Sequence, residues 1–371
     1  MKNLTIEEIR SKVLPAFQIT GEVCEIGPCG NGHINETMKI STLAEGGEQH
    51  QYVLQRINTE IFRQPEQLME NVANVTAYLS KRIAANGGDS NRETLNVIPA
   101  ADGKYYFWDE YRNFWRMYLY ITDTACLEIV EKPEDFYAGG YAFGDFQYQL
   151  ADFPADTLYE TIPNFHNTVS RFSDFCRAVD NDVMGRAKDV EAEILFVKER
   201  EADTHIICDA LAEGKIPLRV THNDTKLNNV LFDAHTGKGL CVVDLDTVMP
   251  GSALYDFGDS IRFGASTGAE DEQDLEKIEC DLELFEVYTK GFLAGCRGRL
   301  TEAEILLLPE ASKIMTLECG MRFLADHLQG DTYFKIHRPG HNLDRARTQF
   351  KLVADMEAKW DQMKAIVEKF I

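Results

Sequence analysis

Residues 220–262 read VTHNDTKLNNVLFDAHTGKGLCVVDLDTVMPGSALYDFGDSIR. Two short apolar runs, Val230-Leu231-Phe232 and Leu240-Cys241-Val242-Val243, flank His235-Thr236-Gly237-Lys238-Gly239, whose glycines permit a tight reversal. The spacing predicts a β-ribbon. Asp224 and Asn229 precede the first run, and Asp244 and Asp246 follow the second, so the ribbon gathers them at one end of a small sheet. Carboxylates and an amide oxygen placed together suit a hard, oxygen-seeking cation with a proton acceptor beside it. The set fits phosphoryl transfer, with Asp224 as base and Asn229 and Asp244 holding Mg²⁺. Asp246 is a further carboxylate on or behind the metal.

The rest of the chain narrows the class. At 371 residues it is too long for one simple core and long enough for two lobes. A content of 44% hydrophobic and 27% charged residues is that of an ordinary globular protein. With 38 Lys and Arg against 61 Asp and Glu, the formal net charge is −23, which argues against a nucleic-acid partner. The same charge repels ATP on average, so local basic residues and magnesium must overcome it. Nine cysteines, odd in number and without a C-x-x-C pair, read as reduced thiols of a cytoplasmic protein. No apolar run approaches membrane-spanning length, and the first fourteen residues lack a signal-peptide core, so no membrane association is expected.

Asp224, four residues, Asn229 and then a strand-borne Asp244 follow the order of the catalytic loop and metal-binding Asp of protein kinases. Asn223 stands where those enzymes have Arg, and Leu245-Asp246 where they have Phe-Gly. These departures resemble the aminoglycoside phosphotransferase and choline kinase-like family. Within it, CGNGHINET, HNDTKLNNVLFD, VVDLDTVMPGSALYDFGDSIRFGAST and ECGMRFLADHLQGDTYF are similar to the N-acetylhexosamine 1-kinases, over nearly the whole chain. The resemblance implies an α+β, bilobal, protein-kinase-like fold. Residues 1–122 would form a small β-rich lobe with the Gly-rich nucleotide loop and hinge strand, and residues 123–371 a larger helical lobe with the catalytic loop and sugar pocket. It implies ATP as cosubstrate and phosphorylation of an N-acetylhexosamine at its anomeric hydroxyl. Sugar recognition would fall to His33, Asn223, Arg322 and Tyr333. Arg322 has a plainer reading as the partner of Asp326, four residues on.

Along the chain, residues 4–17 have helical spacing with Thr5 as N-cap. Strand-like stretches follow at 21–26, 34–40 and 51–57. Between the first two, Gly30, Asn31 and Gly32 form a turn that can bring backbone N–H groups to phosphate oxygens. The third strand of protein kinases carries a phosphate-binding Lys; here the matching position is Gln55, which has no charge. Either Arg56 or another basic residue compensates, or magnesium and backbone carry the phosphates. Residues 64–84 read as a helix, and 97–100, 105–109 and 114–122 as strands. The last would lead to the hinge, where the backbone of Tyr120 and Ile121 meets adenine.

In the larger lobe, helices are expected over 132–151, 171–180, 191–212, 270–295, 301–308, 310–328 and 344–370. The Gly139-Gly140 pair inside the first implies close packing. The acidic run from Glu270 suits a helix N-terminus. His166 reads as a capping or surface histidine, and Asp256 and Asp259 as braces of the catalytic loop despite the Asp256-Phe257-Gly258 string. Gly264-Ala265-Ser266-Thr267-Gly268 matches a nucleophile elbow in letters but lacks the preceding buried strand. His337 and His341 are separated by Pro339 and Gly340, which preclude a zinc-binding helix. The expected partners are a sugar and a nucleotide, for a monomer or small homo-oligomer. The alternatives are a kinase of another small alcohol, such as choline or an aminoglycoside, and an inactive nucleotide-binding scaffold.

Overall fold

The computed structural model describes residues 3–30 and 34–371. Thr5 caps α1 (Ile6–Glu8) through a reciprocal capping box with Glu8, and the helical path runs on through Val13 to a tight turn at Leu14–Ala16. Next come β1 (Glu22–Pro28), β2 (Glu36–Leu43), β3 (Gln49–Ile57), α2 (Pro65–Ala85), β4 (Phe107–Trp108) and β5 (Phe114–Leu119). The strands form one antiparallel sheet in the order β1-β2-β3-β5-β4.

Its two faces follow the period of two that a strand imposes. Ile40, Tyr52, Leu54, Trp115 and Met117 pack under the N-terminal helical segment with Ile9, Val13 and Leu14. Ile57, Phe114 and Tyr118 face the other way, onto Leu68, Val72 and Val75 of α2. The stretch expected as a strand at 97–100 makes only isolated bridges, Val97 to Tyr118 and Ala100 to Phe17. Pro99 within it has no N–H to donate to a ladder.

Beyond the crossover come β6 (Thr124–Cys126), α3 (Pro133–Gln149), α4 (Thr168–Asn181), α5 (Glu191–Lys198), α6 (Ile206–Ala212) and β7 (Arg219–Thr221). Then follow β8 (Val230–Asp233), β9 (Gly239–Val242), β10 (Met249–Gly251), α7 (Ala253–Gly264), α8 (Leu282–Cys296) and α9 (Glu302–Leu306). The chain closes with α10 (Leu308–Gln329), α11 (His341–Ala358) and α12 (Trp360–Glu368). The architecture is the expected kinase-like one, a sheet-rich N-terminal part and a helical C-terminal part. The predicted ribbon is β8 paired antiparallel with β9, Val230 opposite Val242, with β6 added on the free edge of β8.

Glycines set how closely the ribbon's supports approach. A Cβ on Gly140 would lie 2.8 Å from the Tyr288 carbonyl of α8, and one on Gly139 would lie 2.6 Å from Leu227 of the catalytic loop. The pair therefore serves close packing, as expected. Three helices depart from expectation. Residues 191–212 break between α5 and α6, where Arg200 pairs with both Glu357 oxygens at 2.9 and 2.7 Å. Residues 344–370 divide at Lys359. The acidic run from Glu270 is not a helix start: Glu270 pairs with Arg262 at 2.9 Å and Asp271 with His341 at 2.9 Å. The helix begins later, at Asp281, whose side chain accepts the N–H groups of Glu283 and Leu284.

Candidate active site

β7 delivers the chain into His222-Asn223-Asp224-Thr225, and α7 holds that loop by its backbone. Asp256, fully buried, accepts the N–H of His222 at 3.0 Å and of Asn223 at 2.8 Å, and also the Gln147 amide at 2.8 Å. One turn on, Asp259 accepts the Thr225 N–H at 3.0 Å while Arg262 grips its other oxygen at 2.8 Å. The expected braces are in place. Burial raises the Asp256 pKa against these hydrogen bonds. For Asp259, burial pushes up but Arg262 and Lys226 outweigh it, and its carboxyl lies below the usual range. Asn223 has φ +65°, a left-handed conformation that Asn tolerates better than most residues.

Two histidines pin the loop further. His222 Nε2 lies 2.8 Å from the Val243 carbonyl, which can only accept, so Nδ1 is left to accept the Asp224 N–H at 3.3 Å. His166 is buried rather than at the surface. Its Nδ1 meets Glu318 at 2.8 Å and its Nε2 meets the Asn223 carbonyl at 3.1 Å.

The three ribbon-end groups come together. Asp224 is half-buried, and its Oδ2 accepts a hydrogen bond from Asn229 Nδ2 at 3.2 Å; the same Nδ2 donates to the Asp224 carbonyl at 2.8 Å. The Asn229 carbonyl accepts the Val243 N–H at 2.9 Å, which sets Asp244 next to it across the ribbon. Asn229 Oδ1 accepts no hydrogen bond among the described residues. Asp244 has φ +58°, a second left-handed non-glycine residue at the site, where strained backbone tends to gather. Its side chain reaches solvent, with protein packed closely around it. Burial, then Asp246 and Asp224, push its pKa up to about 7, with Arg116 and His222 opposing. Crowded negative charge beside a free amide oxygen is what an oxygen-ligated divalent cation relieves, so Asn229 and Asp244 fit Mg²⁺.

Asp246 fits that role less well. One oxygen is bound by the Arg116 guanidinium and the other by Asn35 Nδ2 at 2.6 Å. No group of three or more His, Cys, Asp or Glu side chains among the described residues is placed to hold a metal. Asp246 thus braces the ribbon end by tying it to Arg116 of β5 and to Asn35.

Lys226, two residues after Asp224, reaches the Asp224 carboxylate at 2.9 Å. Asp224, against burial and with help from Asp259, holds it protonated well above the ordinary lysine value. In the sequence, only the Asp-x-Lys spacing signals this pair.

At the expected hinge, the Tyr120 N–H is engaged by the Gln51 carbonyl at 3.0 Å, while the Ile121 N–H makes no hydrogen bond among the described residues. Gly30 has φ +70° with open space around it; Asn31, Gly32 and His33 lie outside the described residues. Gln55 is in place on β3, hydrogen-bonded to Thr37 and Arg116.

On the acceptor side, the Asn223 amide donates to the Thr247 carbonyl at 2.8 Å, so it struts the loop. The Arg322 guanidinium lies among the rings of Phe165, Tyr333 and Phe334 at 5.4, 5.8 and 5.4 Å. It does not pair with Asp326, which instead accepts the N–H groups of Thr332, Tyr333 and Phe334. Tyr333 is 61% exposed. Phe165 adjoins His166, so this wall continues to the catalytic loop. A cavity of about 360 Å³ lies elsewhere, between α2, α3 and the turn of the ribbon, with Leu79, Phe146 and Cys241 in its lining. None of the candidate residues lines it, so the chemistry and not the enclosed volume locates the site.

A two-part kinase-like fold with a braced Asp224, Asn229 and Asp244 at one ribbon end defines a phosphotransferase. The profile of the phosphotransferase enzyme family (APH) matches residues 25–288, and the chain belongs to that family. Distant solved structures share the fold. An aminoglycoside phosphotransferase from Alicyclobacillus acidocaldarius is 14% identical, with 100% of this chain and 98% of that one covered and a TM-score of 0.58. A microcompartment-associated aminopropanol kinase is 16% identical over 95% and 96%, at 0.56. Choline kinase from Cryptosporidium parvum is 14% identical over 93% and 92%, at 0.56. No helix among the described residues is long and apolar enough to cross a membrane.

Proposed function

We propose that this phosphotransferase uses ATP to phosphorylate an N-acetylhexosamine at its anomeric hydroxyl. The observation that carries the reading is the half-buried Asp224 carboxylate, fixed by Asn229 and Lys226, with the Arg322 wall running from its loop. Asp224 takes the proton of the bound hydroxyl as that oxygen attacks the γ-phosphorus, and ADP leaves. An anomeric hydroxyl is more acidic than an ordinary alcohol, so a carboxylate suffices as base. The Asn229 hydrogen bond and the backbone grip of Asp256 on the loop keep Asp224 in one orientation, which is most of what this chemistry asks of the protein. Lys226 faces the same point and offsets negative charge on the transferred group. Asn229 Oδ1 and Asp244 would hold a magnesium ion, whose charge neutralises the phosphates when bound.

For the acceptor, Arg322 offers N–H donors to an acetamido or hydroxyl oxygen, and Tyr333 an exposed ring for a sugar face. The same wall disfavours choline. Its aromatic rings already surround a guanidinium, and a quaternary ammonium would meet a resident cation there. ADP release should be measured with N-acetylglucosamine, N-acetylgalactosamine, choline and an aminoglycoside, and the product examined by ³¹P NMR. An anomeric phosphate from the acetylated sugars is the expected result; turnover confined to choline or the aminoglycoside would overturn the reading.

A further inference from the structure

Gln55 leaves this fold without the strand lysine that kinase-like proteins place against the phosphates. The sheet register shows where a replacement sits. Thr37 on β2 is opposite Gln55 on β3, and Gln55 is opposite Arg116 on β5, so the three side chains share one face. Arg116 Nε donates to Gln55 Oε1 at 2.9 Å, and Gln55 Nε2 donates to Thr37 Oγ1 at 3.1 Å. The Arg116 guanidinium continues to Asp246, whose other oxygen accepts from Asn35; Asn35 Oδ1 in turn accepts the Asn58 N–H at 2.9 Å. One network thus ties three strands of the N-terminal sheet to the end of the catalytic ribbon.

Arg116 is 1% exposed, within the run Phe114-Trp115-Arg116-Met117-Tyr118-Leu119. A cation in the middle of an apolar strand is costly unless a partner repays its desolvation, and here Asp246 is that partner. Of the other basic side chains nearby, one is on the opposite face and one shares this face further along the sheet. Arg56 points to the opposite face, against Glu36 and the Trp115 ring. Lys39 lies two register positions toward the hinge, with its ammonium 4.1 Å from the Tyr120 ring centre.

We propose that Arg116 replaces the missing strand lysine, delivered from the neighbouring strand. It is a positioning residue: it orients Gln55 and offsets Asp246 and Asp244, so that polyphosphate can approach a carboxylate-rich ribbon end. The inference rests on the kinase reading above, and the test separates the two.

Binding of ADP and of adenosine is measured by calorimetry, without metal and with Mg²⁺, for the wild type, Arg116→Met, Arg116→Met with Gln55→Lys, and Arg116→Met with Asp246→Leu. The last removes both buried charges, so a folded neutral form exists even if the single variant fails to fold. We expect Arg116→Met to lose at least about tenfold in ADP affinity with adenosine binding unchanged, and Arg116→Met with Asp246→Leu to lose less but still measurably, because only Asp244 is then left without its counter-charge. Gln55→Lys should regain most of that loss. Equal losses for ADP and adenosine, or a folded Arg116→Met protein that binds ADP as the wild type does, would overturn the proposal. So would a lysine at position 55 that restores nothing. If the wild type binds neither ligand, the kinase reading fails and this proposal with it.

Discussion

Asp256 and Asn223 are joined by a 2.8 Å hydrogen bond from the Asn223 N–H to Asp256 Oδ1, inside α7 and away from water. Two more donors, His222 N–H and Gln147 Nε2, meet its other oxygen. The bond explains how a loop with a left-handed residue beside Asp224, the proposed base, is kept in one shape. Asp256→Asn sets an amide N–H₂ against groups that can only donate. We expect turnover to fall by about tenfold or more with ADP affinity retained, read as kcat against the calorimetric Kd.

Asp259 gives the pH dependence. Its folded pKa lies below the unfolded value, so its contribution to stability is full above the ordinary carboxylate range and is lost as pH falls through the folded value. Asp259→Asn should cost roughly 3 kcal/mol at neutral pH by leaving Arg262 with Glu270 alone. The difference from wild type should hold at about pH 5 and begin to shrink only below about pH 4, as the folded value is approached. Denaturant midpoints at about pH 7, 5, 3.5 and 2.5 check this; a difference that stays constant down to about pH 2.5 would refute it.

The α3–α8 contact tests the packing. An added methyl at Gly144 would collide with the Phe292 carbonyl, which belongs to backbone and cannot swing aside. Gly144→Ala should lower stability by about 1–3 kcal/mol although alanine is the better helix former. A rise in Tm would show that the helices lie further apart.

Arg322 is expected to act on the acceptor and not on the nucleotide. Arg322→Met keeps the stem packed among Phe165, Tyr333 and Phe334 and removes the donors. KM for the acetylated sugar should rise about tenfold or more, while ADP affinity holds. An unchanged KM would remove Arg322 from the acceptor site.

What could be read from the sequence was what is encoded within short distances. The ribbon and the gathering of Asp224, Asn229 and Asp244 rest on spacings of a few residues or one hairpin; the loop-bracing role of Asp256, 34 and 33 positions from the groups it holds, followed from the family resemblance. The pairings that were missed cross the molecule. His166 meets Glu318 from 152 positions away, and Arg116 meets Asp246 from 130, and no local pattern announces either. A lone arginine among the aromatic residues of a central strand was the one available signal. The acidic run from Glu270 misled because helix-dipole logic is local, whereas Arg262 and His341 claim those charges through the fold.

The most direct test of the account is turnover of the Asp224→Asn variant with ATP, Mg²⁺ and an N-acetylhexosamine, alongside its melting curve. The wild type should yield the sugar 1-phosphate and ADP. The variant should melt as a folded protein, bind ADP, and turn over about 10²–10⁴-fold more slowly. A folded variant with near-wild-type turnover would contradict the assignment of Asp224 as the base.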